Sequence, residues 1–333
     1  MKFFVSMGDY PARQDFFSPR VMAELPQYGD FVFNPAPTVS MTKEALMEQI
    51  GGADVLITGW DAPRVDADIL RAAPNLKLHL HTGGSVASYV SKEEYDRSVR
   101  VLSGNDLFAQ SVAEGCICYM LDALRRVDVY RQTLREGGWF PQPHQTRGLI
   151  GKKVGLVSYG AIAAYLARLL RGFDVELFIA SRTISDKELE SLGAKRASIA
   201  EIFASCDIVS LHTALNDNTR GMITRELLHS IRDGALLVNT ARAGLVDEQA
   251  LYDELSTGRF TAVLDVYHTE PLPTDSPLRA MPNVLMMPHV AGPTTDLREE
   301  ITLRLLKDVR AWQEGQPMRC EIPYEYAVRM TIY

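Results

Sequence analysis

The sequence predicts an α/β protein built from two domains of parallel sheet. The chain has 333 residues, enough for about two domains of ~150 residues each, with a cleft between them. Short apolar runs alternate with stretches of helical spacing along the chain, which is typical of parallel strands joined by crossover helices. A composition of 46% hydrophobic and 23% charged residues is that of a folded protein rather than a disordered one.

In the first half of the chain, strands and helices alternate in the order that a crossover sheet requires. The run FVFNP is a predicted strand, a helix follows at residues 42–50, and ADVLITG is the next strand. A helix at residues 66–72 leads to the strands LKLHLHT and VRVLSG. Residues 110–135 then show helical spacing of apolar side chains and predict the longest helix of the chain.

A stretch rich in glycine and proline at residues 137–151 interrupts this order, and by itself it predicts a domain boundary. A second series follows, with the strands KKVGLVS, VELFIAS, CDIVSLH, GALLVNT and RFTAVLDV. Helices are predicted near residues 185–191 and 198–205, and a last helix at residues 295–315. The second series therefore repeats the strand–helix order of the first.

Charge and cysteine content restrict the class of partner. The net charge is −7, from 35 Lys and Arg against 42 Asp and Glu, and no block of like charges is present to bind nucleic acid or a membrane surface. Neither partner is predicted, and neither are a membrane-spanning segment, a secretory signal or a metal site. The four cysteines form no paired framework, which predicts buried reduced thiols in a cytoplasmic protein. They are Cys116, Cys118, Cys206 and Cys320.

The segment KVGLVSYGAIAAYLARLL predicts a strand, a tight turn and a helix, the setting of a dinucleotide-binding turn. Ser158, Gly160 and Ala163 occupy its three small positions, and the helix N-terminus would offer free amides to a pyrophosphate. Because Ser158 stands where the pattern has its first glycine, the pattern also leaves open a plain strand-to-helix connection. The predicted cofactor-binding residues of this turn are Ser158, Tyr159, Gly160, Ala161 and Ile162.

The end of the next strand indicates which cofactor is held. Ser181, Arg182 and Thr183 follow the strand VELFIA, at the place where an NAD site carries Asp or Glu for the ribose hydroxyls. A hydroxyl beside a guanidinium suits a 2′-phosphate instead. The sequence therefore predicts NADP as the preferred cofactor, and it leaves NAD and a simple exposed loop arginine open.

Charged and titratable side chains follow three later strands. They are Arg242, Asp265 with Glu270, and His289, and each taken singly has a structural explanation. Together they supply what the reduction of a 2-oxo acid needs: a cation for the carboxylate and carbonyl, an imidazole that passes a proton, and a carboxylate that favours the protonated imidazole.

These blocks resemble the NAD(P)-dependent D-isomer-specific 2-hydroxyacid dehydrogenases, which include glyoxylate/hydroxypyruvate reductases. The resemblance covers nearly the whole chain, through LKLHLHTGGSV, SVAEGCICYML, KVGLVSYGAIA, HTALNDNTRGMI, VNTARAGLVDEQAL, LDVYHTEP and MMPHVAG. It implies two Rossmann-like or flavodoxin-like domains with a cleft between them. The NAD(P)-binding domain would comprise residues 105–292, with 137–151 as an internal loop, and the discontinuous substrate domain residues 1–104 and 293–333.

The resemblance also assigns roles. It implies that Arg242 binds the substrate carboxylate and carbonyl, that His289 is the acid/base with Glu270 as its partner, and that Asp265 lies at the nicotinamide carboxamide. It implies substrate-binding amides at Gly83, Gly84, Ser85 and Val86, and further cofactor contacts at His212, Thr213, Ala214, Thr240, Ala241 and Gly292.

The function predicted from these residues is hydride transfer between NADP(H) and a small 2-oxo acid of the glyoxylate or hydroxypyruvate type. The resemblance also implies a homodimer. A non-catalytic, dinucleotide-sensing corepressor with the same fold would retain the same residues, so the sequence leaves that alternative open.

Overall fold

Two parallel sheets organise the chain in this computed structural model, which describes residues 1–37 and 40–332. One sheet has five strands and the other has seven, so the predicted α/β class with two parallel sheets is confirmed. The chain divides into unit 1, comprising Met1–Phe108 and Pro293–Tyr333, and unit 2, comprising Ala109–Gly292.

The strands are short, and most of them lie where the apolar runs predict them. In unit 1 they are β1 Lys2–Val5, β2 Asp30–Phe33, β3 Val55–Thr58, β4 Leu78–His81 and β5 Arg100–Ser103. In unit 2 they are β6 Lys153–Val157, β7 Glu176–Ala180, β8 Ala194–Arg196, β9 Ile208–Leu211, β10 Leu236–Asn239, β11 Thr261–Leu264 and β12 Val284–Met286.

Helices connect these strands. In the first part of the chain they are α1 Pro11–Phe16, α2 Pro19–Glu24, α3 Lys43–Gln49, α4 Ala67–Ala72, α5 Lys92–Asp96, α6 Asn105–Arg125 and α7 Val127–Arg135. In the second part they are α8 Ala161–Leu170, α9 Asp186–Leu192, α10 Ile199–Ser205, α11 Arg225–Ser230, α12 Glu248–Ser256, α13 Thr295–Gln313 and α14 Tyr324–Ala327.

The sheet of unit 1 has the strand order β2-β1-β3-β4-β5, which is the flavodoxin-like order. Because side chains alternate across a strand, β4 sends Leu78 and Leu80 into one core and His79 and His81 to the opposite face. The register pairs His81 with Thr58 of β3 and with Ser103 of β5. A row of polar side chains therefore crosses the carboxyl end of this sheet.

The sheet of unit 2 has the order β12-β11-β10-β9-β6-β7-β8. From β6 the chain proceeds outward through β7 and β8, and it then returns to the other side of β6 at β9. This is the Rossmann order with one added strand, and the point between β6 and β9 is where such sheets bind ligands. All pairings are parallel, so the carboxyl ends of these strands share one edge.

Two expectations about the middle of the chain are wrong. Residues 110–135 are not one helix, because Arg126 adopts a left-handed conformation (φ 54°) between α6 and α7. The glycine- and proline-rich stretch at residues 137–151 is not a boundary between units, since it lies inside unit 2. The chain instead passes from unit 1 to unit 2 within α6, where no change in composition marks the transition.

The cysteines are free thiols, and they differ in exposure. Cys116 and Cys206 are buried, Cys320 is partly buried and Cys118 is exposed. The prediction of a buried thiol is therefore wrong for Cys118. Cys116 and Cys118 are two positions apart on α6 and so point to different sides of the helix.

The expectation that no segment could span a membrane also needs correction. Within residues 1–37 and 40–332, α6 is the one helix whose length and apolar composition would allow it to cross a membrane. Half of its apolar 18-residue segment is buried inside the protein. A core helix passes the same test, so this is weak support for a membrane span.

The packing of β6 against α10 predicts a sensitive position. A Cβ at Gly155 would lie 2.2 Å from Cγ2 of Ile202 and 3.0 Å from Sγ of Cys206. We expect Gly155→Ala to lower the free energy of unfolding by about 1–3 kcal/mol through overpacking, as measured by urea denaturation. Gly172→Ala is the matched control, since a Cβ there would meet nothing within 4 Å. Equal stability of the two variants would contradict the assigned packing.

Candidate active site

The turn after β6 leaves the N-terminus of α8 open. Gly160 is the N-cap residue, in an extended conformation, and no side chain caps the helix. The first backbone bond of the helix joins the amide of Ala164 to the carbonyl of Gly160, so the amides of residues 159–163 meet no acceptor within the described part of the chain. A Cβ at Gly160 would contact nothing within 4 Å. Free amides and open space at a helix N-terminus fit a bound pyrophosphate.

Two predicted cofactor residues in this turn face the protein instead. The side chains of Tyr159 and Ile162 are partly buried and pack against the core of unit 2. Any contact they make with a phosphate therefore comes from their amides, as it does for Ala161 at the start of the helix.

Ser158 adopts the backbone conformation that usually requires glycine. Its φ is 76°, a left-handed conformation that costs a residue with a Cβ roughly 1–2 kcal/mol. The Oγ of Ser158 lies 2.6 Å from Oγ1 of Thr213, in the loop that follows β9. This hydrogen bond joins the two loops on either side of the point where the strand order reverses, and it helps to hold Ser158 in its left-handed conformation.

The loop after β7 is held in a compact turn. Ser181 Oγ accepts hydrogen bonds from the amides of Thr183 and Ile184, at 3.1 and 3.3 Å. Arg196, at the end of β8, donates to the carbonyls of Ser181 and Ile184, both at 2.9 Å. The exposed Arg182 forms no ion pair with any residue in 1–37 or 40–332. Arg196 was not predicted, because nothing in the sequence marks a short edge strand such as β8.

The loop after β9 carries His212. Its Nε2 lies 2.9 Å from Oγ of Ser210, and burial lowers its pKa to about 4. Its Nδ1 is buried and has no hydrogen-bond partner among the residues described. In the same loop, Thr219 Oγ1 donates to the carbonyl of Ala214 at 2.7 Å. His212 is therefore a neutral imidazole at pH 7, and its Nδ1 is enclosed by the protein rather than open to a ligand.

A buried amide side chain shapes the turn after β10. Asn239 Oδ1 accepts from the amide of Ala241 at 3.0 Å, and its Nδ2 donates to the carbonyl of Arg242 at 3.1 Å. Arg242 Nη1 donates to the carbonyl of Ala241 at 2.6 Å. Thr240 Oγ1 lies 3.1 Å from Sγ of Cys116, so its hydroxyl faces α6 rather than solvent. Asn239, a polar residue at the end of an apolar strand, could have been predicted from VNTAR.

His289 and Glu270 form a hydrogen-bonded pair. His289 Nδ1 lies 2.7 Å from Oε2 of Glu270, and Oε1 of the same carboxylate accepts from the amide of Tyr267 at 2.9 Å. The side chain of His289 is 39% exposed, and its Nε2 has no hydrogen-bond partner in the described ranges. The pair thus presents an accessible ring nitrogen on an imidazole that a carboxylate orients.

Asp265 holds the backbone that follows His289. Its carboxylate accepts from the amides of Val290 and Ala291, at 2.8 and 3.0 Å. The side chain is 1% exposed, and burial raises its pKa while the two amides oppose that effect. Because His289 itself has a φ of 56°, these bonds stabilise a turn in which the histidine backbone is left-handed.

Two more contacts fix the same loops. The Tyr267 hydroxyl reaches the carbonyls of Leu264 and Met287, at 2.8 and 2.9 Å, and so ties the end of β11 to the end of β12. Ser111 Oγ donates to the carbonyl of Gly292 at 3.0 Å. Tyr267 was not predicted, because its place as the last residue of LDVY gives no signal of this role.

The strand order brings the predicted chemical groups to one edge of the sheet in unit 2. Arg242 follows β10, Asp265 and Glu270 follow β11, and His289 follows β12, and these three strands are neighbours. An imidazole paired with a carboxylate and open at Nε2 can exchange a proton with a bound oxygen atom. The edge also carries the open helix N-terminus of α8.

In unit 1, the loop after β4 presents unusual backbone donors. Residues 83–86 form the loop that is predicted from the sequence to bind substrate, and this loop is here called the substrate loop. Its four amides meet no acceptor within the described residues. Ser103 Oγ lies 3.0 and 2.5 Å from the carbonyls of Gly83 and Gly84, and Ser85 Oγ donates to the carbonyl of Thr331 at 2.6 Å. Buried amides normally have partners, so a run of unpaired amides fits an anionic ligand.

Comparison with known proteins decides the family. Residues 117–291 match the family described as D-isomer specific 2-hydroxyacid dehydrogenase, NAD binding domain. The chain belongs to the D-isomer-specific 2-hydroxyacid dehydrogenases. It is therefore an NAD(P)-dependent oxidoreductase that acts on the CH–OH group of 2-hydroxy acids, and membership favours the enzyme over the non-catalytic sensor.

Several known proteins are similar to this dehydrogenase over most of its length. Hydroxypyruvate reductase of Thermotoga maritima is 30% identical over 273 residues, which cover 81% of this chain and 88% of the relative. D-3-phosphoglycerate dehydrogenase of Archaeoglobus fulgidus is 28% identical over 84% of this chain, but the match spans only 53% of that longer protein. The TT0316 protein of Thermus thermophilus has a similar structure, with a TM-score of 0.78, 27% identity and coverage of 97% and 100%.

Buried neutral histidines of this dehydrogenase predict a pH-dependent stability. Burial lowers the pKa of His81 to about 3 and that of His212 to about 4, whereas both titrate near 6.5 when unfolded. The unfolded chain therefore binds more protons between about pH 6.5 and 4, and stability falls as the pH is lowered through that range.

We expect the urea midpoint at pH 5 to lie below that at pH 7. His212→Asn should flatten this difference, because asparagine can still bond Ser210 but takes up no proton. A variant with the full pH dependence of the wild type would show that His212 does not contribute.

Proposed function

We propose that this dehydrogenase reduces small 2-oxo acids of the glyoxylate or hydroxypyruvate type with NADPH, and that His289 is the general acid. The observation that carries the proposal is the His289–Glu270 pair at 2.7 Å, with Nε2 of the imidazole accessible at the ligand-binding edge of the sheet. In the reverse direction the same nitrogen takes the proton from the hydroxyl of the 2-hydroxy acid.

The proposed dinucleotide-binding domain is residues 105–292, which comprise unit 2 (Ala109–Gly292) and the first four residues of α6. The open N-terminus of α8 supports a pyrophosphate site, and the loops after β7, β9 and β10 line the same edge. When bound, the reduced nicotinamide supplies the hydride. The proposed cofactor contacts are Ser158, Tyr159, Gly160, Ala161, Ile162, Ser181, Arg182, Thr183, His212, Thr213, Ala214, Thr240, Ala241, Asp265 and Gly292.

Each group around the substrate has a separate task. The guanidinium of Arg242 binds the carboxylate and the carbonyl oxygen, which orients the acid and stabilises the charge that develops on oxygen. His289 donates its Nε2 proton to that oxygen. Glu270 holds the imidazole in one orientation through its contact with Nδ1. Asp265 keeps the His289 turn in place and retains lone pairs for the nicotinamide carboxamide.

The proposed role of unit 1 is to bind the substrate carboxylate. Four adjacent amides without intramolecular acceptors, at Gly83, Gly84, Ser85 and Val86, support this assignment, because backbone donors bind a carboxylate without a counter-charge. A small substrate is supported by the relative named hydroxypyruvate reductase, with which the match covers 88% of its length.

Two further features complete the proposal. The exposed apolar side chains Val127, Leu134, Trp139 and Phe140 lie on α7 and the loop after it, and they support burial against a second copy of the chain in a homodimer. Free thiols support a cytoplasmic location.

Replacement of His289 tests the mechanism. We expect His289→Asn to lower turnover of glyoxylate about 10²- to 10⁴-fold, because general acid catalysis is lost, and to leave NADPH binding near normal. Turnover is followed at 340 nm and binding by fluorescence titration. His229→Asn is the matched control, since His229 of α11 forms a similar pair with Glu254 of α12 at 2.9 Å. Undiminished turnover in His289→Asn would refute the assignment.

Replacement of Arg182 tests the cofactor preference. We expect Arg182→Ala to raise the KM for NADPH at least tenfold and to change the KM for NADH less than twofold, since only NADPH has the 2′-phosphate. Arg171→Ala, at another exposed arginine of unit 2, is the control. An equal effect of Arg182→Ala on both cofactors would remove the basis for NADP.

A further inference from the structure

A continuous chain of buried polar side chains runs beneath the substrate loop. Nδ1 of His79 lies 2.8 Å from Oε1 of Glu94, which is in α5, and both side chains are fully buried. Thr58 Oγ1 lies 2.8 Å from Nε2 of His79 and 2.9 Å from Nδ1 of His81. The side chains of this hydrogen-bonded chain follow the order Glu94, His79, Thr58, His81. None of them takes part in the proposed reaction.

Counting protons assigns the direction of these bonds. In the proposed arrangement Glu94 is the carboxylate and His79 is the neutral imidazole, so Nδ1 of His79 donates to Glu94 and Nε2 is an acceptor. Thr58 has one hydroxyl proton, and its Oγ1 lies 2.8 Å from Nε2 of His79 and 3.5 Å from the carbonyl oxygen of Leu80. The shorter of these two contacts is assigned the proton. The remaining contact requires His81 to donate from Nδ1 to the Thr58 oxygen. His81 is consequently the Nδ1–H tautomer, and its Nε2 carries a lone pair.

The far end of the chain lies against the substrate loop. A Cβ at Gly83 would be 2.3 Å from Nε2 of His81, so this ring occupies the space beside the Gly83 backbone. The ring of Tyr89 stacks on His81, with centroids 4.4 Å apart. Burial, which lowers the pKa of His81 to about 3, keeps the ring neutral.

Such a chain is costly unless every bond is made. Burying Glu94 and two imidazoles removes them from water, and their hydrogen bonds offset that loss only in part, because Oε2 of Glu94 has no partner among the described residues. In return, each ring is held in one orientation. The position of Gly83 then depends on the orientation of His81, because nothing flexible separates the two.

We propose that Glu94, His79, Thr58 and His81 are positioning residues that hold the substrate loop in the conformation that binds the substrate carboxylate. The inference rests on the proposed role of this loop. It predicts that breaking the chain at Thr58 weakens substrate binding while proton transfer at His289 and cofactor binding are unaffected.

The test compares three variants of the full-length protein. Thr58→Val removes the hydroxyl without changing the size of the side chain, whereas Thr58→Ser keeps the hydroxyl. Thr302→Val is the matched control, because Thr302 is also buried in unit 1 and its Oγ1 has no hydrogen-bond partner among the described residues. Thermal unfolding confirms that each variant is folded. Steady-state kinetics with glyoxylate and NADPH then separate KM from kcat.

We expect Thr58→Val to raise the KM for glyoxylate at least tenfold, with kcat and the KM for NADPH within twofold of wild type. Thr58→Ser and Thr302→Val should lie within threefold of wild type in all three constants. A ¹⁵N NMR spectrum of the wild type should assign the Nδ1–H tautomer to both His79 and His81, and Thr58→Val should lose that tautomer at His81.

Each other result has a defined meaning. An unchanged KM in a folded Thr58→Val variant overturns the positioning role and leaves the proposed function intact. The Nε2–H tautomer at His81 overturns the assigned direction of the chain. A wild type that reduces no 2-oxo acid refutes the proposed function, and the substrate role of this chain is then refuted with it.

Discussion

Parallel pairing of β10, β11 and β12 is the constraint on which the candidate site depends. Parallel strands end at the same edge of a sheet, so the segments that follow them become neighbours although they are far apart in the chain. One such segment follows each of the three strands. These segments carry, in order, Arg242, Asp265 with Glu270, and His289. Without this register no local property of the sequence would bring the Glu270 carboxylate to 2.7 Å from the His289 ring.

Two carboxylates hold the histidine in different ways. Asp265 is buried and bonds the backbone after His289, whereas Glu270 is partly exposed and bonds the ring. A left-handed backbone at a residue other than glycine or asparagine costs roughly 1–2 kcal/mol, and it persists only where the surroundings hold it in place. The amides bonded to Asp265 do so here, and the ring stays accessible as a result.

The residue types of the candidate site and their order along the chain could be predicted from the sequence. The hydrogen bonds that hold the surrounding loops in place could not. Residue types at strand ends predicted that a carboxylate would meet the imidazole, the family resemblance implied that this carboxylate is Glu270, and the structure contains the pair. Arg196 and Tyr267 bond carbonyl groups of distant loops, and a carbonyl acceptor has no sequence signature, so neither could be predicted. The left-handed Arg126 that divides α6 from α7 was missed for a related reason, since the apolar spacing continues across it.

Local sequence was sufficient for the α/β class, for most strand positions and for the residue types of the site, because hydrophobic periodicity and turn chemistry act over a few residues. The division into units, the buried chain from Glu94 to His81 and the unpaired amides of the substrate loop were decided only when the chain folded. These features depend on contacts between residues distant in sequence, and on which polar groups the packing leaves without a partner.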